Sequence, residues 1–413
     1  MGGKTVVILG GGIGGLVAAN ELRRQLAAEY RVVLIEKQTH HAFAPSFLWI
    51  LTGDREPEQV RRPISRLVRP GVELVAAEVL GVDPVGRKVV TSTQTVSYDY
   101  LVVALGAELA PESIPGLSEG GYTFYSYEGV VRLRDALRGF TAGKVAVVVA
   151  SLPYKCPGAP PEGAMLIADF LRKRGLRDKV EVQLFTPEPQ PMPVAGPELG
   201  AGVRNMLEGR GIAFHPLHKL VKVDPDGRLL HFEGKPPEKY DLLVFVPPHR
   251  APGLLAKSGL ANAAGWVPVD RGTLRTPHKD VFAIGDVTAI SIPGRWHPDF
   301  PLMLPKAGVF AHAQAVVVAR RIAAEIAGKE PDDTFCGDGY CMLEAGEDLA
   351  GFAYGDFFAQ PTPQVHLRKL GWTWHLGKVL FEKWWLAPFG VKRATLGVGL
   401  RWGARALRIP VVV

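Results

Sequence analysis

The sequence predicts an α/β protein of two Rossmann-like units followed by an amphipathic C-terminal region. Three observations predict it. The buried strand Thr5–Leu9 runs into Gly10-Gly-Gly-Ile-Gly-Gly15 and then into helical apolar spacing over residues 16–26. A second strand–turn–helix follows at 144–149 and 163–174, with a turn of very different composition. Residues 364–413 gather the positive charge and five of the eight tryptophans.

A chain of 413 residues exceeds one ordinary core, so two or three domains are expected. No basic and apolar leader and no long uncharged apolar run is visible, so neither a secretory signal nor a bilayer span is expected. Cys156, Cys336 and Cys341 are the three cysteines, too few for a disulfide-stapled secreted fold. The formal net charge is +7. Residues 364–413 carry nine basic residues against Glu382, or +8, which leaves about −1 for the rest. Positive charge confined to an aromatic tail does not predict nucleic-acid binding.

In the first unit the pattern G-x-G-x-x-G falls on Gly10, Gly12 and Gly15, between a strand and a helix. Glycines there let backbone approach a pyrophosphate, and the helix N-terminus favours its charge. Residues 31–35 form the next strand, ending at Glu36, an acid placed to accept adenosine ribose hydroxyls. Two further strands end in small-residue turns: residues 98–107, with Gly106, and residues 279–287, with Gly285-Asp286. These segments resemble, in order and spacing, those of the pyridine nucleotide–disulfide reductase superfamily. The resemblance implies FAD as the dinucleotide, with Asp286 receiving the ribityl chain; a helix N-cap is the other reading of Asp286. It also implies an FAD domain split by an insert: 1–110 and 268–330 for FAD, 111–267 for the second Rossmann-like domain, and 331–413 as a C-terminal region.

The insert departs from nicotinamide binding. Its turn is Ala150-Ser-Leu-Pro-Tyr-Lys-Cys-Pro-Gly-Ala-Pro-Pro-Glu162, with prolines where a pyrophosphate needs glycines. After Val180–Phe185 comes Thr186-Pro187 instead of a ribose-binding acid or a base.

Cys156-Pro-Gly-Ala-Pro-Pro-Glu162 and Tyr340-Cys-Met-Leu-Glu-Ala-Gly346 are similar to the redox-cysteine segments of sulfide:quinone oxidoreductases. The flavoprotein subunit of flavocytochrome c sulfide dehydrogenase is similar too. His41-Ala-Phe-Ala-Pro-Ser-Phe-Leu-Trp49 and Leu304-Pro-Lys-Ala-Gly-Val-Phe310 extend the likeness over essentially the whole chain. The resemblance implies a Cys156–Cys341 disulfide attacked by hydrosulfide, with two electrons passing to FAD and then to a quinone. Cys336 is the competing partner for Cys156. Lys155 is read either as lowering a thiolate pKa or as a solvated charge. Glu162 is read as a proton carrier or as an acid favoured by the helix dipole. Lys306 resembles the lysine at the flavin pyrimidine end. The cysteine found before the insert in many relatives is missing from residues 121–126, so noncovalent FAD is expected. No metal spacing is present among the histidines.

In the tail, Leu367, Leu370, Trp374, Phe381 and Trp384 are expected on one helical face. Val391, Thr395, Val398, Trp402 and Ile409 form another, beside Arg401, Arg405 and Arg408. Such helices lie in a bilayer interface, and the resemblance implies a monotopic enzyme, peripheral on the cell membrane, that takes quinone from the lipid. Packing on the body or on a second copy in a homo-oligomer is the alternative. Tyr340 and Phe381 are the candidate quinone contacts. Removing everything after residue 363 is expected to spare the sulfide half-reaction. Competing functions are a type II NADH:quinone dehydrogenase, a flavoprotein subunit that reduces a cytochrome, and a sulfur-sensing flavoprotein without turnover.

Overall fold

The computed structural model describes residues 3–299 and 301–409. Valine, isoleucine and leucine runs buried on both faces form its parallel strands, as expected of sheets covered by helices. The first sheet contains β1 (Thr5–Leu9), β2 (Arg31–Glu36), β3 (Val72–Ala76), β4 (Tyr100–Val103) and a strand that arrives much later in the chain. Helix α1 (Ile13–Gln25) connects β1 to β2, and α2 (Phe47–Thr52) follows β2. The second sheet is built from β5 (Gly143–Val149), β6 (Val180–Phe185), β7 (Ala213–His215) and β8 (Leu242–Val246), with α3 (Ala159–Lys173) after β5. Strand β9 (Val281–Ala283) then returns to pair with β4. The orders are β9-β4-β1-β2-β3 and β7-β6-β5-β8, parallel throughout. The second sheet therefore lies, in sequence, between strands of the first.

In each sheet the strand order reverses beside the first strand, β1 or β5. Crevices open at the carboxyl ends of strands at such switch points. The glycine turn follows β1, and the turn carrying Cys156 follows β5. Both predicted sites thus occupy the equivalent position of their sheets.

Helix α4 (Gly308–Ile326) packs on α1. Asp286 caps no long helix; it lies in a short 3₁₀ turn, Gly285–Val287. An antiparallel sheet follows, β10 (Asp338–Gly346), β11 (Leu349–Asp356) and β12 (Gln364–Gly371), then α5 (Trp372–Trp385) and α6 (Val391–Leu407). Leu367 and Leu370 lie on β12, not on a helical face. The alternation of Val365 and Leu367 with polar neighbours is a strand period, and pairing with β11 overrides the longer helical reading.

The glycine turn shows why side chains are excluded there. A Cβ on Gly15 would lie 1.8 Å from the Gly10 carbonyl oxygen, so the turn could not close. Gly15→Ala is expected to cost about 3 kcal/mol, the upper range for overpacking. Thermal unfolding and flavin content after purification check this.

Candidate active site

Cys156 follows β5 in the left-handed region, φ 54°, a conformation that turns the chain back sharply before α3. Its N–H donates to the Lys306 carbonyl at 2.7 Å, and its carbonyl accepts from Ala159 N–H and from the Tyr125 hydroxyl. Cys341 sits on β10 opposite Ala353. Because α3 packs on β10, the second cysteine is brought to the start of that helix: a Cβ on Gly158 would lie 3.4 Å from the Cys341 sulfur. Both cysteines are thiols here and line one cavity. Its walls are mostly apolar, with Met192, Val309, Phe310 and Phe357 among them. Cys336 is exposed, bonded to the Thr334 carbonyl, and does not line this cavity.

Glu162, in the first turn of α3, is 4% exposed and forms an ion pair with Lys378 of α5, itself 7% exposed. Burial raises the Glu162 carboxyl to about 7 even though Lys378 opposes the shift. Burial raises the Cys156 thiol to about 11, with Glu162 adding to the rise and Lys378 countering it. Burial pushes Cys341 up further still. The cation acting on the cysteines is thus Lys378; the charge of Lys155 falls on Asp286 and His249. The dipole reading of Glu162 is too small an account, because its partner comes from the tail.

The other crevice holds the dinucleotide candidates. Gly10 has φ 98°, and a Cβ there would meet the Ala104 carbonyl oxygen at 2.5 Å. Gly12 and Gly106 have open space where a Cβ would be, the arrangement a closely approaching phosphate requires. Glu36 accepts from Gly11 N–H at 2.6 Å and from Gln38 N–H at 2.7 Å, fixed at the end of β2. A smaller cavity is lined by Gly285, Asp286 and Lys306. Lys306 donates to the Asp286 and Thr288 carbonyls at 2.7 and 2.9 Å and stands 3.5 Å over the Trp266 ring. Burial lowers it to about 8. The two cavities share Pro305, Ala307 and Phe310 as walls.

Sequence reasoning missed Lys378, the buried partner of Glu162. The signal was present: Trp374, Lys378 and Trp385 fall at i, i+4 and i+11, so Lys378 shares the inward face of α5. Tyr340 lines the cysteine cavity. Phe381 does not line it and packs on Phe43, Trp384 and Trp385.

The tail divides into two parts. Helix α5 is docked: Trp384, Trp385 and Glu382 are buried, and Glu382 pairs with Arg55 at 2.9 Å. Trp385 N–H donates to His41 Nε2 at 3.0 Å, so Nδ1 carries the proton that reaches the Gly11 carbonyl at 3.1 Å. Burial keeps this histidine neutral, at about 4. The packing alternative therefore holds for α5, and the aromatic face once expected to meet lipid meets the body. Helix α6 keeps Val391, Val398 and Trp402 exposed, beside exposed Lys392, Arg401, Arg405 and Arg408. Among the described residues, no helix is long and apolar enough to cross a membrane.

The glycine turn at one switch point and the Cys156 turn at the next both lie within residues 4–314, which match the pyridine nucleotide-disulphide oxidoreductases: the chain belongs to that family. Within that class it is a member of the sulfide:quinone oxidoreductases. It is 30% identical to the mitochondrial sulfide:quinone oxidoreductase of Mus musculus, covering 86% of this chain and 79% of that one. It is 28% identical to the sulfide-quinone reductase of Aquifex aeolicus, covering 93% and 90%. The X-ray structure of the Aquifex aeolicus sulfide:quinone oxidoreductase superposes with a TM-score of 0.85 at 26% identity, covering 99% of this chain and 96% of that one.

Proposed function

We propose that this chain is an FAD-dependent sulfide:quinone oxidoreductase working peripherally at a membrane surface, with Cys156 and Cys341 as its redox pair. The observation that supports the reading is that the cysteine cavity shares Pro305, Ala307 and Phe310 as walls with the smaller cavity lined by Gly285, Asp286 and Lys306. Residues 1–110 and 268–330 form the FAD domain, 111–267 the second domain, and 331–413 the C-terminal region.

The residues fit the cofactor. Gly10, Gly12 and Gly15 admit the pyrophosphate, Glu36 takes the ribose, and Gly106, Gly285 and Asp286 line the ribityl and ring end. Lys306, already fixed by two carbonyls, provides a positive charge at the ring. Bound FAD supplies a two-electron acceptor next to the cysteines.

Hydrosulfide attacks one sulfur of the oxidised pair. The old S–S bond breaks, a new one forms to the incoming sulfur, and the other cysteine leaves with the bonding electrons. The cysteine that departs carries a developing negative charge, which Lys378 counters at either sulfur. Glu162, poised near 7, takes the persulfide proton. Tyr340 and Phe381 are the proposed quinone contacts, and α6 the lipid contact.

Anaerobic sulfide should bleach the bound flavin, and a short-chain quinone should restore its colour. Acid precipitation should release the flavin into the supernatant, because residues 121–126 hold no cysteine for attachment. Bleaching by NADH but not by sulfide would overturn the assignment; flavin retained on the pellet would overturn noncovalent binding.

A further inference from the structure

Among the described residues one carboxylate lines the cysteine cavity: Glu188, three residues after β6. Cys156 and Cys341 line the same space, and Glu162 does not. The loop that carries Glu188 forms part of the wall. Its Met192 lines the cavity too, and a Cβ on Gly158 would lie 3.4 Å from the Cys341 sulfur and 3.9 Å from the Met192 sulfur. The carboxylate is fixed at one oxygen. Oε2 accepts from the Tyr154 hydroxyl at 2.7 Å and from the Thr186 hydroxyl at 3.2 Å. Tyr154 stands two residues before Cys156, so the turn that places the sulfur also holds the carboxylate. Oε1 receives no hydrogen bond among the described residues.

Glu188 is 8% exposed, yet no charged group acts on it among the described residues. A buried carboxylate without a cation is costly. Burial raises its carboxyl, while the Tyr154 and Thr186 hydrogen bonds draw it back down. The result is a proton acceptor in an otherwise mostly apolar space. That space sets a conflict for the substrate. An apolar cavity admits neutral hydrogen sulfide in preference to the hydrosulfide anion. Attack on a disulfide needs the anion. A base inside the cavity removes the conflict.

We propose that Glu188 is the general base for the substrate: hydrogen sulfide enters neutral, Glu188 takes one of its protons, and the hydrosulfide so formed attacks the oxidised cysteine pair. In this step the S–H bond breaks with its electron pair left on sulfur, and the carboxylate becomes a carboxylic acid. The second proton is the persulfide proton that Glu162 takes. Over a full cycle hydrogen sulfide gives up two protons and two electrons, and quinone takes up two of each. Glu188 therefore returns its proton to water and starts again as a carboxylate. The assignment rests on the sulfide reading above. An acid after β6 could instead serve a ribose, but Oε2 is committed to Tyr154 and Thr186, and the side chain lines the cysteine cavity.

Titratable groups around Glu188 are Tyr154 and Tyr125, on either side of β5, and Cys156, Cys341, Tyr340 and Tyr354 in the cavity wall. Burial raises Tyr125 and Tyr154, so both stay neutral while the carboxyl titrates. A carboxyl that already holds a proton cannot accept one. Bleaching should fall as pH falls through the raised Glu188 value. At fixed total sulfide it should fall again in alkaline solution, where hydrogen sulfide ionises before it enters.

The test is anaerobic stopped-flow bleaching of the full, FAD-loaded chain by sodium sulfide from acid to alkaline pH. Glu188→Gln should slow bleaching at neutral pH about a hundredfold. It should also reverse the alkaline limb, so that the rate rises with pH, because solvent alone then supplies the hydrosulfide. Tyr154→Phe removes a hydrogen bond that holds the carboxyl down, so the acid limb should move to higher pH with the alkaline limb kept. Glu162 also titrates near neutrality, so infrared difference spectra without sulfide identify the group. One buried-carboxyl band should be missing from Glu188→Gln and titrate at higher pH in Tyr154→Phe. If Glu188→Gln does not fold, Tyr154→Phe carries the test. A folded, flavin-loaded Glu188→Gln with the wild-type rate and pH profile would overturn the assignment, as would an unmoved acid limb in Tyr154→Phe. Failure of sulfide to bleach the unsubstituted protein would instead overturn the functional reading.

Discussion

Cys156→Ser and Cys341→Ser each lower sulfide-dependent flavin bleaching by about a thousandfold or more, while the yellow cofactor stays bound. The magnitude is that of removing a group that forms the covalent intermediate, for which a hydroxyl cannot substitute. Retention of the flavin follows from the geometry. The cysteines line the larger cavity, whereas the glycine turn and Glu36 stand at the carboxyl ends of β1 and β2 in the other sheet. Serine is nearly isosteric with cysteine, so the fold changes little. Cys336→Ser should leave the rate within about twofold, as expected of a surface substitution away from the site. Stopped-flow bleaching of the three variants, with flavin content measured in parallel, distinguishes the pairings. An active Cys341→Ser beside an inactive Cys336→Ser would reverse the assignment.

What was legible in the sequence was what contiguous segments could carry. Gly10–Gly15 fits only one kind of turn, and Cys156 and Cys341 lie in short stretches whose neighbours are themselves distinctive. The exchange of a glycine loop for Pro153 and Pro157 pointed to sulfur chemistry in place of a dinucleotide cradle after β5, and Cys156 lines a cavity there together with Cys341. The Lys378–Glu162 pair was not legible, because it joins residues 216 positions apart and depends on where α5 docks. Lys155 drew attention by adjacency to Cys156, yet neighbours along a turn need not face one another. Leu367 and Leu370 were misplaced because their strand borrows its stability from β11, a partner that periodicity alone does not reveal. The aromatic tail was read as one surface. Burial separates it into α5, which builds the site, and α6, which is left facing outward.

That separation sets the outcome of two truncations. A chain ending at residue 363 loses β12, α5 and α6 together. It leaves one edge of β11 unpaired, removes Trp385 from His41, and strands Glu162 without its cation. Breaking a buried ion pair by removing one partner costs about 3–5 kcal/mol. This chain should fail to hold flavin and should show no sulfide bleaching, contrary to the expectation that the half-reaction survives. A chain ending at residue 389 removes α6 alone and keeps Lys378, Glu382 and Trp385 in place. It should bleach with sulfide at close to the full rate but reduce a long-tailed quinone poorly, because α6 carries the exposed Val391, Val398 and Trp402. The four exposed cations of that region, Lys392, Arg401, Arg405 and Arg408, each add about 1 kcal/mol of attraction to anionic lipid at a surface. Binding of the full chain should therefore weaken with salt and with neutral lipid, yet persist through apolar burial. Vesicle flotation with anionic and neutral lipid, beside anaerobic bleaching of both truncated chains, decides it. Flotation undiminished in the chain ending at 389 would remove α6 from the membrane. Sulfide bleaching retained in the chain ending at 363 would show that Lys378 is dispensable to the cysteines.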